Sequence, residues 1–127
     1  MIDRRVVLLL PEVIRIAVEP NRSGVYALGD VEGDAFRVGY VGRSDHCLWT
    51  RLLTHNLLYK FSYFYFQYTA TCQEAYYLES KWWHQCLDFG VLLQNKIHPD
   101  SPVNTAVACP YCQFATSVEQ SFAPHNS

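Results

Sequence analysis

Two strand-like runs joined by a short polar connection impose the strongest constraint on how this chain can fold. The runs, VYALGD and AFRVGYVG, are rich in β-branched and aromatic residues, and the connection VEGD carries residues typical of turns. A turn-like segment, NRSG, precedes the first run. We therefore predict an antiparallel hairpin in which Gly24–Gly29 pairs with Phe36–Val41.

The hydrophobic period changes after this hairpin from that of a strand to that of a helix. Leu48, Leu52, His55 and Tyr59 recur at spacings of three and four residues, as on one side of a helix. This segment is the first predicted helix.

A third strand and a second helix follow. Residues 61–68, FSYFYFQY, are almost entirely aromatic, a composition that favours a strand. Thr71 and Glu74 then have the spacing of a capping box, the signature of a helix start. The second helix is predicted to run over about Cys72–Phe89, with Gly90 as its C-terminal cap.

The order of elements defines the fold class. Residues 6–18 are compatible with an edge strand or with a short helix that begins at Pro11. The remaining elements predict a small α+β domain with helices flanking a three-stranded antiparallel sheet. The 127-residue chain is half hydrophobic, which suits one domain. We expect an N-terminal extension packed on the domain over 1–23, the domain itself over 24–108, and a C-terminal tail over 109–127.

Charge, cysteine content and hydropathy indicate whether the chain is expected to bind nucleic acid, to be secreted or to span a membrane. The net charge of -2 does not mark the whole chain as a nucleic-acid binder, although residues 36–60 carry four basic residues against Asp45 alone. Five cysteines without framework spacing argue against a secreted disulfide scaffold. No apolar stretch approaches the roughly 20 residues that a membrane span requires. We expect a soluble, cytoplasmic protein with no membrane partner.

The tail contains one C-x-x-C pair, Cys109 and Cys112, which is half of a zinc site. A complete site needs two further ligands, and no second pair is present in the sequence. Coincidence or a reversible thiol pair is therefore preferred to structural zinc.

The second helix carries one carboxylate in an unusual place. Glu79 lies at the margin of the apolar stripe rather than on the polar side, a position that is unfavourable unless the charge is paired or bound to a cation. The stripe comprises Ala75, Leu78, Trp82, Cys86 and Phe89. A salt bridge to Arg51 or Lys81 is the simpler explanation, and a metal ligand is the other.

Four further residues have ordinary explanations when each is taken alone. His55 lies in the apolar stripe of the first helix and suits a core histidine, while Arg51 lies at the border of that stripe and suits the surface. Tyr26 and Tyr40 lie on neighbouring strands, where tyrosines commonly pack.

Together these residues follow a known pattern. GVY ending at Tyr26, YVG ending at Gly42, and Arg51 nine residues after that glycine resemble the GIY-YIG nuclease family. The segment EAYYLESKW has Glu79 where that family has its metal-binding glutamate. The loop HPDSPVN, which ends at Asn104, resembles the closing Pro-x-Asn element of the family.

The resemblance implies a divalent-metal-dependent endonuclease that hydrolyses phosphodiester bonds of DNA, with Mg²⁺ or Mn²⁺ as cofactor. It implies that Glu79 binds the metal and that Arg51 is the catalytic arginine, which stabilises the negative transition state. In the family a motif tyrosine takes the proton from water. Here Tyr26 is the favoured base, with Tyr40 or His55 as helpers.

Other residues receive roles through the same resemblance. Arg43 follows the second motif, where many members have a basic or polar residue, and His55 matches a histidine that is common in part of the family. Asn104 matches the terminal asparagine and supports the site. Gly24 and Gly42 belong to the two motifs and are expected to support it as well.

Two features depart from the family. Asp45 lies near the expected phosphate, in a segment before Arg51 that is longer than in excision-repair members, and no basic tail or helix-turn-helix module follows Asn104. We expect such a core to bind DNA weakly, as a homodimer, or with a targeting partner protein; branched and damaged DNA are open as substrates. The alternatives are a catalytically inactive module of the same fold that binds nucleic acid or protein, and a small zinc-stabilised interaction domain.

Overall fold

A computed structural model of the chain describes residues 6–88, 90, 91, 93, 94 and 99. The elements in chain order are β1 (Val7–Leu8), α1 (Pro11–Ala17), β2 (Gly24–Glu32), β3 (Ala35–Ser44), α2 (Leu48–Leu53), β4 (Tyr63–Tyr68) and α3 (Cys72–Asp88). The predicted α+β class is confirmed. The described sheet has four antiparallel strands in the order β1-β4-β2-β3, where three were expected.

Residues 6–18 supply the additional strand. Both alternatives left open by the sequence are present, because β1 pairs Val7 with Phe64 of β4 and α1 then begins at Pro11. Proline is tolerated there, since the first N–H groups of a helix have no intrahelical partner. Ile14 of α1 is 0 % exposed, so this part of the predicted extension belongs to the core.

The hairpin is longer than predicted. β2 and β3 pair from Gly24 and Ser44 at one end to Glu32 and Ala35 at the other. A two-residue turn closes the hairpin, and its glycine, Gly33, has a φ of 62°.

A β-bulge determines which side of the sheet each residue of β3 faces. The register of β2 against β3 shifts after Leu28, which leaves Gly39 as the extra residue. Residues two apart in a strand normally share a face. Across this bulge, however, Val38 packs in the core beside α3, while Tyr40 packs on the side of Tyr26. The bulge therefore brings the second motif tyrosine to the first.

A hydrophobic core covers each face of the sheet. The core beneath α1 and α2 contains Leu9, Ile14, Val18, Tyr26, Leu28, Leu48, Leu52, Leu58 and Phe64. The core beneath α3 contains Val25, Val41, Ala75, Trp83 and Leu93. Val25 and Tyr26 are adjacent in β2 and point to opposite faces, so α2 and α3 lie on opposite sides of the sheet.

α3 closely follows its prediction. Thr71 Oγ1 accepts from the Glu74 backbone N–H at 3.1 Å, as in a capping box, and Gly90, with a φ of 73°, follows the helix. The helix is described over Cys72–Asp88, and Phe89, its predicted last residue, lies outside the described residues.

The first predicted helix is shorter than its periodicity indicated. α2 ends at Leu53, so His55 lies beyond the helix, and Tyr59 is 81 % exposed instead of facing the core. No helix in the described part of the chain combines the length and apolar character of a membrane span.

Candidate active site

The two motif tyrosines meet over Gly42, near the end of β3. Gly42 pairs across the hairpin with Tyr26. A Cβ atom at Gly42 would lie 2.5 Å from the Tyr26 hydroxyl oxygen and 2.9 Å from Cε1 of Tyr40. Both distances are shorter than the ~3.5 Å at which atoms make favourable contact. Glycine thus leaves room for the two rings, which stack with centroids 6.1 Å apart.

Gly24, the first motif glycine, has a separate packing reason. A Cβ atom there would lie 2.5 Å from the backbone oxygen of Gln67 in β4. Its supporting role is therefore the close approach of two strands.

Arg51 reaches the tyrosine pair from α2. Its Nε donates to the Tyr26 hydroxyl oxygen at 3.2 Å, and the residue is exposed. Tyr26 is 0 % exposed and cannot touch a substrate from this position. Tyr26 therefore positions Arg51, which differs from the direct catalytic role predicted from the motif.

Burial also moves the pKa of Tyr26 away from what a base requires. Desolvation raises this pKa above its ordinary value of about 10, and the neighbouring Arg51 opposes the rise only in part. The hydroxyl is consequently protonated at neutral pH. Tyr40 is half-buried and so is the more accessible of the two to water.

His55 packs edge-on against both tyrosines. Its ring centroid lies 5.5 Å from that of Tyr26 and 4.8 Å from that of Tyr40. Burial, together with the charge of Arg51, lowers the pKa of His55 to about 4. Because Nδ1 accepts from the Leu57 N–H at 3.1 Å, the proton of the neutral ring lies on Nε2.

This tautomer argues against His55 as a helper base, since its free nitrogen already carries a proton. Nε2 is buried and has no hydrogen-bond partner among the described residues. His55 is thus buried, as the simpler explanation held, but one of its ring nitrogens is left unpaired among the described residues, and its ring supports the tyrosine pair.

Arg43 of β3 joins two carboxylates. Its Nη1 donates to Glu79 Oε1 at 2.6 Å, and its Nε donates to Asp45 Oδ1 at 2.8 Å. The guanidinium also lies over the ring of Tyr76, 5.2 Å from the centroid. Glu79 is therefore paired, but with Arg43 rather than with the predicted Arg51 or Lys81. Asp45 shares the same guanidinium, so its charge is only partly compensated.

Glu79, Tyr26 and Arg51 interact electrostatically. Burial raises the pKa of Glu79 to about 7, with Arg43 opposing the rise. Arg51 also lowers the pKa of Glu79, and the charge of Glu79 raises that of Tyr26. Groups from α2 and α3 thus influence one another around the end of β3, although the two helices lie on opposite faces of the sheet.

Glu79 offers a carboxylate, the type of ligand that a hard divalent cation prefers, although one of its oxygens is bound to Arg43. The side chain of Glu79 is 9 % exposed and is already in contact with a positive group, the Arg43 guanidinium. Mg²⁺ and Mn²⁺ favour carboxylate oxygen, and Mg²⁺ keeps several of its waters, so that one or two carboxylates suffice. Within the described residues, no three His, Cys, Asp or Glu side chains gather as a metal-binding group.

Three predicted residues cannot be related to this site. Asn104, Cys109 and Cys112 lie outside the described residues, as does the whole of the 109–127 tail. Sequence reasoning, in turn, missed the Arg43–Glu79 pair and the anchoring of Arg43 by Asp45. The contact between Arg43 and Asp45 could have been predicted, because the two residues are only two positions apart at the end of a strand.

A separate apolar cavity of about 580 Å³ lies between the sheet and α3. Its lining includes Phe36, Val38, Tyr65, Trp82 and Cys86. Its described lining does not include Tyr26, Arg43, Asp45, Arg51 or Glu79.

No protein-family model, curated protein or solved structure matches this chain. Function is therefore inferred from the chemistry of the site and from the motif resemblance.

Proposed function

We propose that the chain is a divalent-metal-dependent endonuclease that hydrolyses phosphodiester bonds of DNA. The observation that carries the proposal is that the Arg51–Tyr26 contact and the Arg43–Glu79 contact flank the same end of β3, near enough for Arg51 to lower the pKa of Glu79. A positive group held by Tyr26 and a buried carboxylate held by Arg43 are what phosphate and a divalent cation would require.

Arg51 provides the fixed positive charge. Phosphodiester hydrolysis builds negative charge on the phosphate oxygens, which a pre-oriented guanidinium stabilises. The Tyr26 hydroxyl accepts from Nε, so the exposed end of the guanidinium can bind phosphate while the inner end is held in place. This arrangement avoids the cost of ordering a free arginine during the reaction.

Glu79 would hold Mg²⁺ or Mn²⁺. When bound, such an ion polarises the phosphate and lowers the pKa of bound water. The protein's contribution is one carboxylate from α3, set in a buried position beside Arg43. Water and phosphate oxygens would complete the coordination.

Tyr40 is the better candidate to receive the proton from water. A base must be within hydrogen-bond reach of the water that it activates. Tyr26 is fully buried and His55 is already protonated on Nε2, whereas Tyr40 is half-buried beside Arg51. This assignment revises the base expected from the resemblance.

A catalytically inactive binding module is the second candidate. The Arg43–Glu79 ion pair favours it, because such a pair satisfies the buried carboxylate without any metal. If the chain is such a module, Arg51→Ala should weaken its binding of nucleic acid. The wild-type chain would form no cleavage product.

Incubation with supercoiled plasmid and Mg²⁺ separates the two candidates. The endonuclease should produce nicked or linear DNA, and EDTA should stop the reaction. Arg51→Ala should lower the rate by about 10²-fold or more, as expected for loss of a transition-state contact. The matched control is Arg37→Ala, because Arg37 is exposed and forms only a surface ion pair with Glu32 at 2.8 Å. Intact plasmid across Mg²⁺ and Mn²⁺ concentrations, with DNA still bound, would favour the inactive module.

A further inference from the structure

The Arg43 guanidinium occupies one of the two oxygens of the carboxylate that the proposed metal would need. Its Nη1 contacts Glu79 Oε1 at 2.6 Å, a charge-assisted hydrogen bond between side chains that are 12 % and 9 % exposed. A divalent cation bound at the same oxygen would meet a positive group at hydrogen-bond distance. The two cations cannot share Oε1 without strong repulsion.

Asp45 holds the same guanidinium from another side. It accepts from Nε at 2.8 Å, and its side chain is 21 % exposed, so it lies nearer to solvent than Glu79. The ring of Tyr76, 4 % exposed, lies beneath the guanidinium. Arg43 could therefore lose its bond to Glu79 while its Nε stays anchored by Asp45.

We propose that Arg43 exchanges partners: with a divalent cation held by Glu79, Nη1 of Arg43 would leave Oε1 and bind the DNA phosphate, while Asp45 keeps Nε in place. Asp45 is on this view a positioning residue that acts through Arg43. The inference rests on the proposed nuclease function for the phosphate step, whereas the competition for Glu79 stands independently of it.

The competition is tested by Mn²⁺ binding without DNA, measured from the electron paramagnetic resonance signal of free Mn²⁺. Arg43→Gln removes the competing cation, so Mn²⁺ should bind at least about tenfold more tightly, the equivalent of one charged hydrogen bond. Because Arg43 also lowers the pKa of Glu79, the affinities are measured over a series of pH values and compared on the high-pH plateau, where the carboxylate is ionised in both proteins. Glu79→Gln should abolish this binding. Arg43→Lys, whose single ammonium cannot donate to both carboxylates in the same way, should give an intermediate affinity and serves if the glutamine variant does not fold.

Partner exchange also predicts opposite effects on metal binding and on cleavage. Arg43→Gln should bind Mn²⁺ more tightly and yet cleave plasmid more slowly at saturating Mn²⁺, because the phosphate contact is lost. If the ion pair were purely structural, Arg43→Gln would instead lower both the Mn²⁺ affinity and the cleavage rate. Arg43→Gln with unchanged or weaker Mn²⁺ binding in a folded protein would overturn the exchange.

A separate set of variants tests the role of Asp45. Asp45→Ala should slow cleavage. Asp45→Asn should retain more activity, because its amide oxygen still accepts from Nε. In the Arg43→Gln background, Asp45→Ala should cause no further loss of cleavage rate. Glu32→Ala, which removes the same charge from an exposed pair, should leave cleavage unchanged. Faster cleavage by both Asp45 variants would show simple repulsion of phosphate and overturn the positioning role.

Failure of the proposed function is a separate result. A wild-type chain that binds Mn²⁺ through Glu79, binds it more tightly as Arg43→Gln, and cleaves no DNA would refute the nuclease while supporting the competition between Arg43 and metal.

Discussion

Gly42→Ala tests whether the motif glycine is required for the geometry of the site. The new Cβ would lie 2.5 Å from the Tyr26 hydroxyl oxygen, 2.6 Å from Tyr26 Cζ and 2.9 Å from Tyr40 Cε1. Tyr26 is 0 % exposed and is packed in the core, so it cannot swing into solvent to relieve the overlap. Overpacking of this kind costs about 1–3 kcal/mol.

The size of that cost can be followed by thermal denaturation. For a domain of this length, 1 kcal/mol corresponds to about 3–5 °C in Tm, so a cost of about 1–3 kcal/mol should lower Tm by about 3–15 °C. Displacement of Tyr26 should also break its contact with Arg51. Plasmid nicking, measured well below the Tm, should fall by about 10²-fold, as expected for a misplaced catalytic group.

A second glycine variant separates loss of stability from loss of the site. Gly33 has a φ of 62°, a conformation that residues with a Cβ rarely adopt, so Gly33→Ala should also lower Tm. Gly33 lies in the hairpin turn, at the opposite end of β3 from Gly42, and the folded fraction of this variant should remain active. If Gly42→Ala kept both the wild-type Tm and the wild-type rate, the close packing of the tyrosines over Gly42 would be refuted.

Three further predictions concern the tyrosine–histidine–arginine side of the site. Tyr26→Phe removes the acceptor of Arg51 Nε, so the nicking rate should fall by about tenfold while the far-UV circular dichroism spectrum stays unchanged. An unchanged rate would show that Tyr26 does not position Arg51. Tyr40→Phe should lower the rate more than Tyr26→Phe does, because Tyr40 is proposed to receive the proton, and the reverse order would contradict that assignment. The folded-state pKa of His55, about 4, is lower than its ordinary value of about 6.5, so its stabilising contribution should be lost as the pH falls from 6.5 towards 4. His55→Phe should therefore lose less stability than the wild-type chain in urea titrations across that pH range, and parallel losses would rule out a buried neutral histidine.

The secondary structure could be predicted where local chemistry determines it. The capping box at Thr71 and Glu74 and the terminal Gly90 fixed the limits of α3, because both act within a few residues along the chain. The end of α2 was missed, since the spacing of His55 and Tyr59 fits a helix whether or not the chain continues as one. Periodicity gives the direction of side chains only while the helix persists.

The tertiary features of the site could be predicted only in part. The motif spacing singled out Tyr26, Arg51 and Glu79, but the pairing of Glu79 with Arg43 depends on how α3 lies against β3, which local sequence does not determine. The bulge at Gly39 likewise depends on the register of two strands. The full burial of Tyr26 follows from the packing of α1 and α2 on one face of the sheet, and it is the reason that we propose Tyr26 as a positioning group rather than as the base.

The proposed cleavage of DNA depends on the binding of a divalent cation by Glu79. The most direct test is the initial rate of Mg²⁺-dependent plasmid nicking by Glu79→Gln, compared with wild type and with Glu32→Gln, a control at an exposed ion pair. We predict that Glu79→Gln loses activity by orders of magnitude while Glu32→Gln retains it. A folded Glu79→Gln variant that nicks plasmid at the wild-type rate would contradict the account.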